Sequence, residues 1–229
     1  MKKILLMGII VLISISVFVM SFGADEKPTA AENSKEITLP APKNTGTMSL
    51  EEAILKRHSV RAYKSDELTS EQLSQLLWSA QGLNPRKKFM ARNAPSAGGV
   101  YPMEVYVLDK AGIYQYIAKS HSLKQVKTGD TRKLLGEAAY GQSYIVQASV
   151  DIVLAGDVAK CAKHYGDRAS RYVAMEVGHI GQNISLEAVA LGLGTVMIGA
   201  FDDEKVNEVL SLPDNLSAFY IIPVGYSNE

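Results

Sequence analysis

The stretch RASRYVAMEVGHIGQNISLEAVALGLG, from Arg168 to Gly194, limits the fold more than any other part of the chain. Val173, Val177, Ile180, Ile184, Ala188 and Leu191 recur at helical spacing, so one apolar stripe runs for about seven turns before Gly192 and Gly194 end it. Ala174, Gly178 and Gly181 put small residues on the same helix, although each glycine costs about 1 kcal/mol relative to alanine in a helix interior. Two such positions predict close approach by another backbone. Such a helix is expected at the centre of a domain or at a subunit interface.

Other elements are readable around it. Ser49 followed by Glu52 forms a capping-box pattern, with the helix expected to end near His58. Thr69 and Gln72 repeat the device ahead of Leu73, Leu76, Leu77 and Ala80, and Gly82 stops that helix. Asp202 is an N-cap for DDEKVNEVLSL. Met103 to Asp109 and GIYQYIA read as a hairpin, while Ser149 to Asp157 is a nearly continuous apolar strand suited to a sheet covered on both faces. TVMIGAF and AFYIIPVGY read as further strands. The expectation is an α+β domain, a mixed sheet flanked by helices.

Composition narrows the function classes. Lys+Arg and Asp+Glu both total 24, so no basic excess points to nucleic acid. A single cysteine, Cys161, removes intramolecular disulfides and cysteine-rich metal clusters. Lys2 and Lys3 precede an apolar run to Phe22 with a small-residue exit, the pattern of a secretory signal peptide over residues 1–23. The run approaches membrane-spanning length, so an uncleaved signal anchor is the alternative, and contact with a membrane is expected only there. Residues 24–47 read as a flexible linker and 48–229 as the folded domain, exported to the periplasm or the exterior.

Hydrolytic and metal chemistry have little foothold. GLGTVM lies at a helix-to-strand exit, whereas a dinucleotide fingerprint needs a strand-to-helix turn. There is no Walker loop and no GxSxG elbow. Cys161, His164 and His179 lack the paired spacing of a metal site, and His58, His121 and His179 read as surface or capping residues. Glu176 and Glu187 read as solvated or interface-paired. Two stretches stand out instead. In RHSVRAY an extended backbone would turn Arg57, Ser59 and Arg61 to one side, a donor set suited to phosphate. RNAPSAGGVYP, Arg92 to Pro102, combines Asn93, Ser96, Gly98, Gly99 and two prolines in a rigid loop able to present amides and hydroxyls to a polar ligand edge.

RHSVRAY, NAPSAGGVYPMEVYVL, YGDRASRYVAMEVGHIGQNISLEAVALGLGTVMIGAFDD and LPDNLSAFYIIPVGY, in that order, resemble the FMN-dependent nitroreductase family, nearest to its azoline dehydrogenase branch, over Ser49 to Tyr226. The resemblance implies that Arg57, Ser59 and Arg61, with the backbone of His58, hold the FMN phosphate and ribityl chain. It implies Pro95, Ser96, Ala97 and Gly98 beside the isoalloxazine, Gln182 and Asn183 near the cofactor, and the amides of Gly199 and Ala200 at flavin N5 and O4. A domain-exchanged homodimer is implied, each FMN held by both chains, with no catalytic side chain and no metal. The implied activity is a ping-pong transfer from NAD(P)H or another donor to nitroaromatic, quinone-like or similar small acceptors. Two alternatives are an azoline-type dehydrogenase and an exported flavin-binding protein without turnover. The chain departs from the family pattern at GYSNE, which offers no phosphate-binding cation; Arg168 and Arg171 are the candidate replacements. The lysine–tyrosine pair of azoline oxidation is also not found.

Overall fold

The computed structural model describes residues 35–84 and 91–228, so the expected leader and the first part of the linker lie outside the described residues. Among these, no helix is long and apolar enough to cross a membrane. The strands are β1 (Glu36–Thr38), β2 (Met103–Leu108), β3 (Gly112–Ile117), β4 (Ser122–Thr128), β5 (Val150–Gly156), β6 (Gly194–Thr195) and β7 (Ser217–Gly225). The helices are α1 (Leu50–Lys56), α2 (Ser70–Gln81), α3 (Arg132–Ala138), α4 (Tyr144–Gln147), α5 (Val158–Tyr165), α6 (Ala169–Ala190) and α7 (Asp203–Leu210).

Among the described residues, all seven strands join one sheet in the order β1-β4-β3-β2-β5-β7-β6. Every ladder is antiparallel, and the parallel component of the expected mixed sheet is confined to one bridge, Ser59 with Thr195. Every residue of β5 is buried, which is why its sequence is so apolar. Alternation divides its side chains between two cores. Val150, Ile152 and Leu154 pack with Leu76 and Leu77 of α2 and with Val173, Ile180 and Ile184 of α6. Val153 and Ala155 face Leu135 of α3 and Val206 and Leu210 of α7. Each fully buried aliphatic side chain contributes about 1.5–3 kcal/mol, so these two stripes hold α6 and α7 to opposite faces.

The predicted N-caps are present, but the box expected at Ser49 is only half formed: Ser49 Oγ accepts from Glu52 N at 3.1 Å, while the Glu52 carboxylate accepts from Lys56 Nζ at 2.6 Å. Thr69 and Gln72 close a full capping box, and Asp202 Oδ1 accepts from Lys205 N at 3.2 Å. Several readings need correction. The supposed flexible linker contributes an edge strand, β1, which pairs with β4 and is followed by the buried Leu39. α1 ends at Lys56, two residues short of His58, because Arg57 already has an extended backbone. TVMIGAF is not one strand. Thr195 pairs with Val224 and Ile198 with Ile221, a register that sets Val196 against Pro223, and proline has no N–H for the ladder.

Candidate functional site

The arginine segment is built from its buried partners outward. After α1 the chain runs extended, with Val60 N donating to Thr195 O at 3.1 Å. Tyr63 Oη donates to Val60 O at 2.8 Å and lies 3.2 Å from Pro223 O. Gly194 leaves room for Val60, since a Cβ there would stand 2.6 Å from Val60 Cγ2. With Val60 and Tyr63 buried, Ser59 and Arg61 are exposed and Arg57 half-exposed. His58 is exposed, its Nδ1 3.0 Å from Lys56 O.

The second segment is the loop containing Pro95, Ser96, Ala97 and Gly98. A short 3-10 turn spans Ala97–Gly99; Gly98 and Gly99 take φ of +59° and +67°, the left-handed region where glycine is unstrained. Gly99 and Val100 donate to Ser96 O and Ala97 O, whereas the amides of Ala97 and Gly98 have no acceptor among the described residues. His179 Nδ1 lies 3.3 Å from Pro95 O and anchors the loop on α6.

Glu176 is a correction to the expected solvated role. Only 2% exposed, it accepts from Gln81 Nε2 of α2 at 3.3 Å. Burial pushes its carboxyl up, opposed by hydrogen bonds from Ser96 and Gln81 and by the charges of Arg92 and His179. The sequence did carry a signal, because Glu176 falls in register with the apolar stripe of Val173, Val177 and Ile180. Glu187 is half-buried, and burial likewise pushes its carboxyl up.

The third segment is Gly199–Ala200, exposed beyond the Ile198 bridge. Both amides have no acceptor among the described residues, and Ala200 O accepts from Gln142 Nε2 at 3.0 Å. Tyr220 lies between this turn and α6: its ring would be 3.6 Å from a Cβ at Gly199 and 3.4 Å from one at Gly181. Gln182 is exposed one helical turn from His179. Asn183 instead turns inward, its Nδ2 donating to Ser79 O at 3.0 Å and tying α6 to α2.

The three segments therefore follow α6 in order. The loop sits at His179, Gly199 packs across Tyr220 from Gly181, and the arginine segment lies at Thr195, beyond the C-terminal end. From His179 to Ala190 the helix rises about 16 Å. Arg168 and Arg171 stand at its other end, so within one chain they do not join Arg57 and Arg61. A hollow of about 740 Å³ between residues 41–50, α2 and α6 contains Asn183 but no other expected site residue. Among the described residues no group of His, Cys, Asp and Glu could hold a metal ion.

Arg57 and Arg61 beside the Ser59 hydroxyl, and two turns whose amides have no acceptor among the described residues, are thus set out along α6 of this α+β scaffold. The sequence model of the Nitroreductase family matches residues 54–226, and the chain belongs to that family. A candidate nitroreductase of Methanocaldococcus jannaschii is 38% identical over 85% of this chain and 98% of its own length. The crystal structure of a candidate nitroreductase from Ralstonia eutropha superposes with a TM-score of 0.77, at 29% identity over 85% of this chain and 90% of its own. More distant relatives include the FMN reductase (NADPH) of Bacillus subtilis, 23% identical over 76% of this chain and 64% of its own length. The microcin B17-processing protein McbC of Escherichia coli is 27% identical over 61% of this chain and 55% of its own.

Proposed function

We infer that this protein is an FMN-dependent oxidoreductase taking reducing equivalents from a nicotinamide donor and passing them to small electron-poor acceptors such as nitroaromatics or quinones. The observation that carries this reading is the exposure of Ser59 and Arg61, with Arg57 half-exposed, on a segment pinned by the buried Val60 and Tyr63. Two forked guanidiniums and a hydroxyl match a phosphate monoester. The uncommitted amides of Ala97, Gly98, Gly199 and Ala200 suit the heteroatom edge of the isoalloxazine, with Gln182 exposed nearby. When bound, FMN supplies the hydride and electron chemistry. The chain's own residues bind its phosphate, orient its ring edge and offer fixed donors where negative charge accumulates, so no side-chain nucleophile is needed.

On this reading the site is completed by a second copy of the chain. Leu50, Ile54 and Leu55 of α1 are 60%, 55% and 85% exposed, an apolar face that a lone subunit leaves uncovered. Residues 1–23 direct export, which makes the source of electrons outside the cytosol part of the question. Similarity to McbC favours a second reading, oxidation of an azoline ring in a peptide, with FMN bound by the same residues. The test is the visible spectrum of the purified protein, then anaerobic mixing with NADH and with NADPH. A bound flavin bleached by either donor and reoxidised by nitrofuran supports the reductase. Bleaching only by azoline peptides supports the second reading, and a colourless protein that takes up no FMN refutes both.

A further inference from the structure

The loop that the proposed function places against the flavin is held by a closed ring of interactions. Tyr101 N donates to Ser96 Oγ at 2.9 Å, and Ser96 in turn stands by the Glu176 carboxyl, pulling it down against the effect of burial. Glu176 accepts from Gln81 Nε2 at 3.3 Å, and Gln81 Oε1 lies 3.5 Å from Arg92 Nη1. The Arg92 guanidinium sits over the Tyr101 ring, 5.3 Å from its centroid, and Arg92 N donates to Tyr101 Oη at 3.1 Å, which closes the ring. It therefore links α2, α6 and both ends of the loop. His179, three residues after Glu176 on α6, reaches the Pro95 carbonyl and adds a second hold on the same segment.

We propose that Glu176 is a positioning residue, a buried acceptor that fixes the Ser96 hydroxyl and so sets the turn presenting the Ala97 and Gly98 amides to the flavin. This rests on the flavin reading of the site. Three features support it. A carboxylate almost wholly removed from water costs free energy unless its partners repay it, so a buried glutamate amid Val173, Val177 and Ile180 needs a reason to be there. Its polar neighbours are Gln81, itself fully buried and 3.3 Å away, and Ser96 of the loop, so the carboxylate faces the loop rather than solvent. The loop also holds Tyr101 at φ +49°, a conformation disfavoured outside glycine that persists only where surrounding contacts impose it.

The test compares Glu176→Gln, Glu176→Asp and Glu176→Leu in the full-length protein, stripped of flavin and titrated with FMN by fluorescence quenching. Glutamine keeps an acceptor for Ser96, so the expected dissociation constant stays within about threefold of wild type. Leucine fills the space without an acceptor and is expected to weaken FMN tenfold or more while the melting temperature holds. A purely structural role predicts instead that affinity follows melting temperature. Aspartate pulls the acceptor back by one methylene, and an intermediate loss with faster amide exchange over residues 92–101 is expected even without flavin. Wild-type affinity in a folded Glu176→Leu protein overturns the proposal. If that variant does not fold, unchanged affinity and exchange in Glu176→Asp overturn it equally. Failure of wild-type protein to bind any FMN refutes the flavin reading instead, and amide exchange of the loop in the variants still decides whether Glu176 holds it.

Discussion

Asp151, in the middle of β5, gives the sharpest test of how the scaffold is energetically arranged. It is 0% exposed, and neither carboxylate oxygen has a hydrogen-bond partner among the described residues. Burial raises its carboxyl well above the ordinary range, against the pull of Arg132, whose guanidinium is already engaged with Asp130 at 2.6 Å. The folded state thus holds this proton more tightly than the unfolded chain, where the value is about 3.9. Stability from this group is therefore greatest below about pH 4 and falls by about 1.4 kcal/mol per pH unit as pH rises towards the folded value. Asp151→Asn cannot ionise. Its buried amide shifts the whole stability curve by a constant, but the gap between variant and wild type should move in the variant's favour as pH rises above about 4, by at most about 1.4 kcal/mol per pH unit. That corresponds to roughly 3–6 °C in Tm for a domain of this size. Urea unfolding of both proteins at pH 5 and pH 6 measures it, and a constant separation would refute the account of Asp151 as a buried, proton-binding carboxyl.

Other consequences can be checked independently. Arg57→Ala removes a charge-assisted donor worth about 1.5–3 kcal/mol, so FMN affinity should drop at least tenfold, read from the flavin-to-protein absorbance ratio after dialysis. Gly194→Ala forces Val60 aside, and overpacking of about 1–3 kcal/mol should lower Tm and loosen FMN together. His121 stands 2.7 Å from Ser74 Oγ, 2.8 Å from Tyr116 Oη and 3.1 Å from Pro40 O, and burial lowers its pKa. Its contribution is complete above about pH 6.5 and lost as pH falls towards the folded value. Protection factors for amide exchange over residues 36–39 should therefore fall on acidification in wild type, and stay constant with pH in His121→Asn.

Elements whose signal is local were legible. The caps at Ser49, Thr69 and Asp202 are short-range chemistry, and β5 and α6 declare themselves through long apolar patterns. What was missed depends on distant partners. β4 reads as polar because only its first two residues are buried, and it is a strand because β3 and β1 pair with it. α3 has no side-chain cap at Thr131, so nothing local announces it. TVMIGAF has strand composition, yet the break in its pairing comes from Pro223, far along the chain. At the site, the exposure of Ser59 and Arg61 was readable because they flank the apolar Val60 on an extended segment. The Gln81–Glu176 contact joins residues 95 apart in sequence, beyond any local pattern.

The two glycines of α6 separate what one chain explains from what it leaves open. Gly181 is accounted for: a Cβ there would stand 3.2 Å from Met197 Sδ and 3.4 Å from the Tyr220 ring, so the close neighbour is side chain rather than the expected backbone. Gly178 has nothing within 4 Å, and it lies exposed between Ala174 and Gln182, with Met175 52% exposed beside it. Within a single subunit its cost in helix propensity has no structural return. If this face meets a second copy, Gly178→Leu should stabilise the isolated subunit by up to about 1 kcal/mol through helix propensity while blocking close approach. Light scattering should then find wild type at about twice the 24.8 kDa of one chain and the variant at the monomer mass, with reduced FMN uptake. A monomeric wild type that binds FMN fully, or a variant that dimerises as before, would remove α6 from the interface and leave Gly178 without a role.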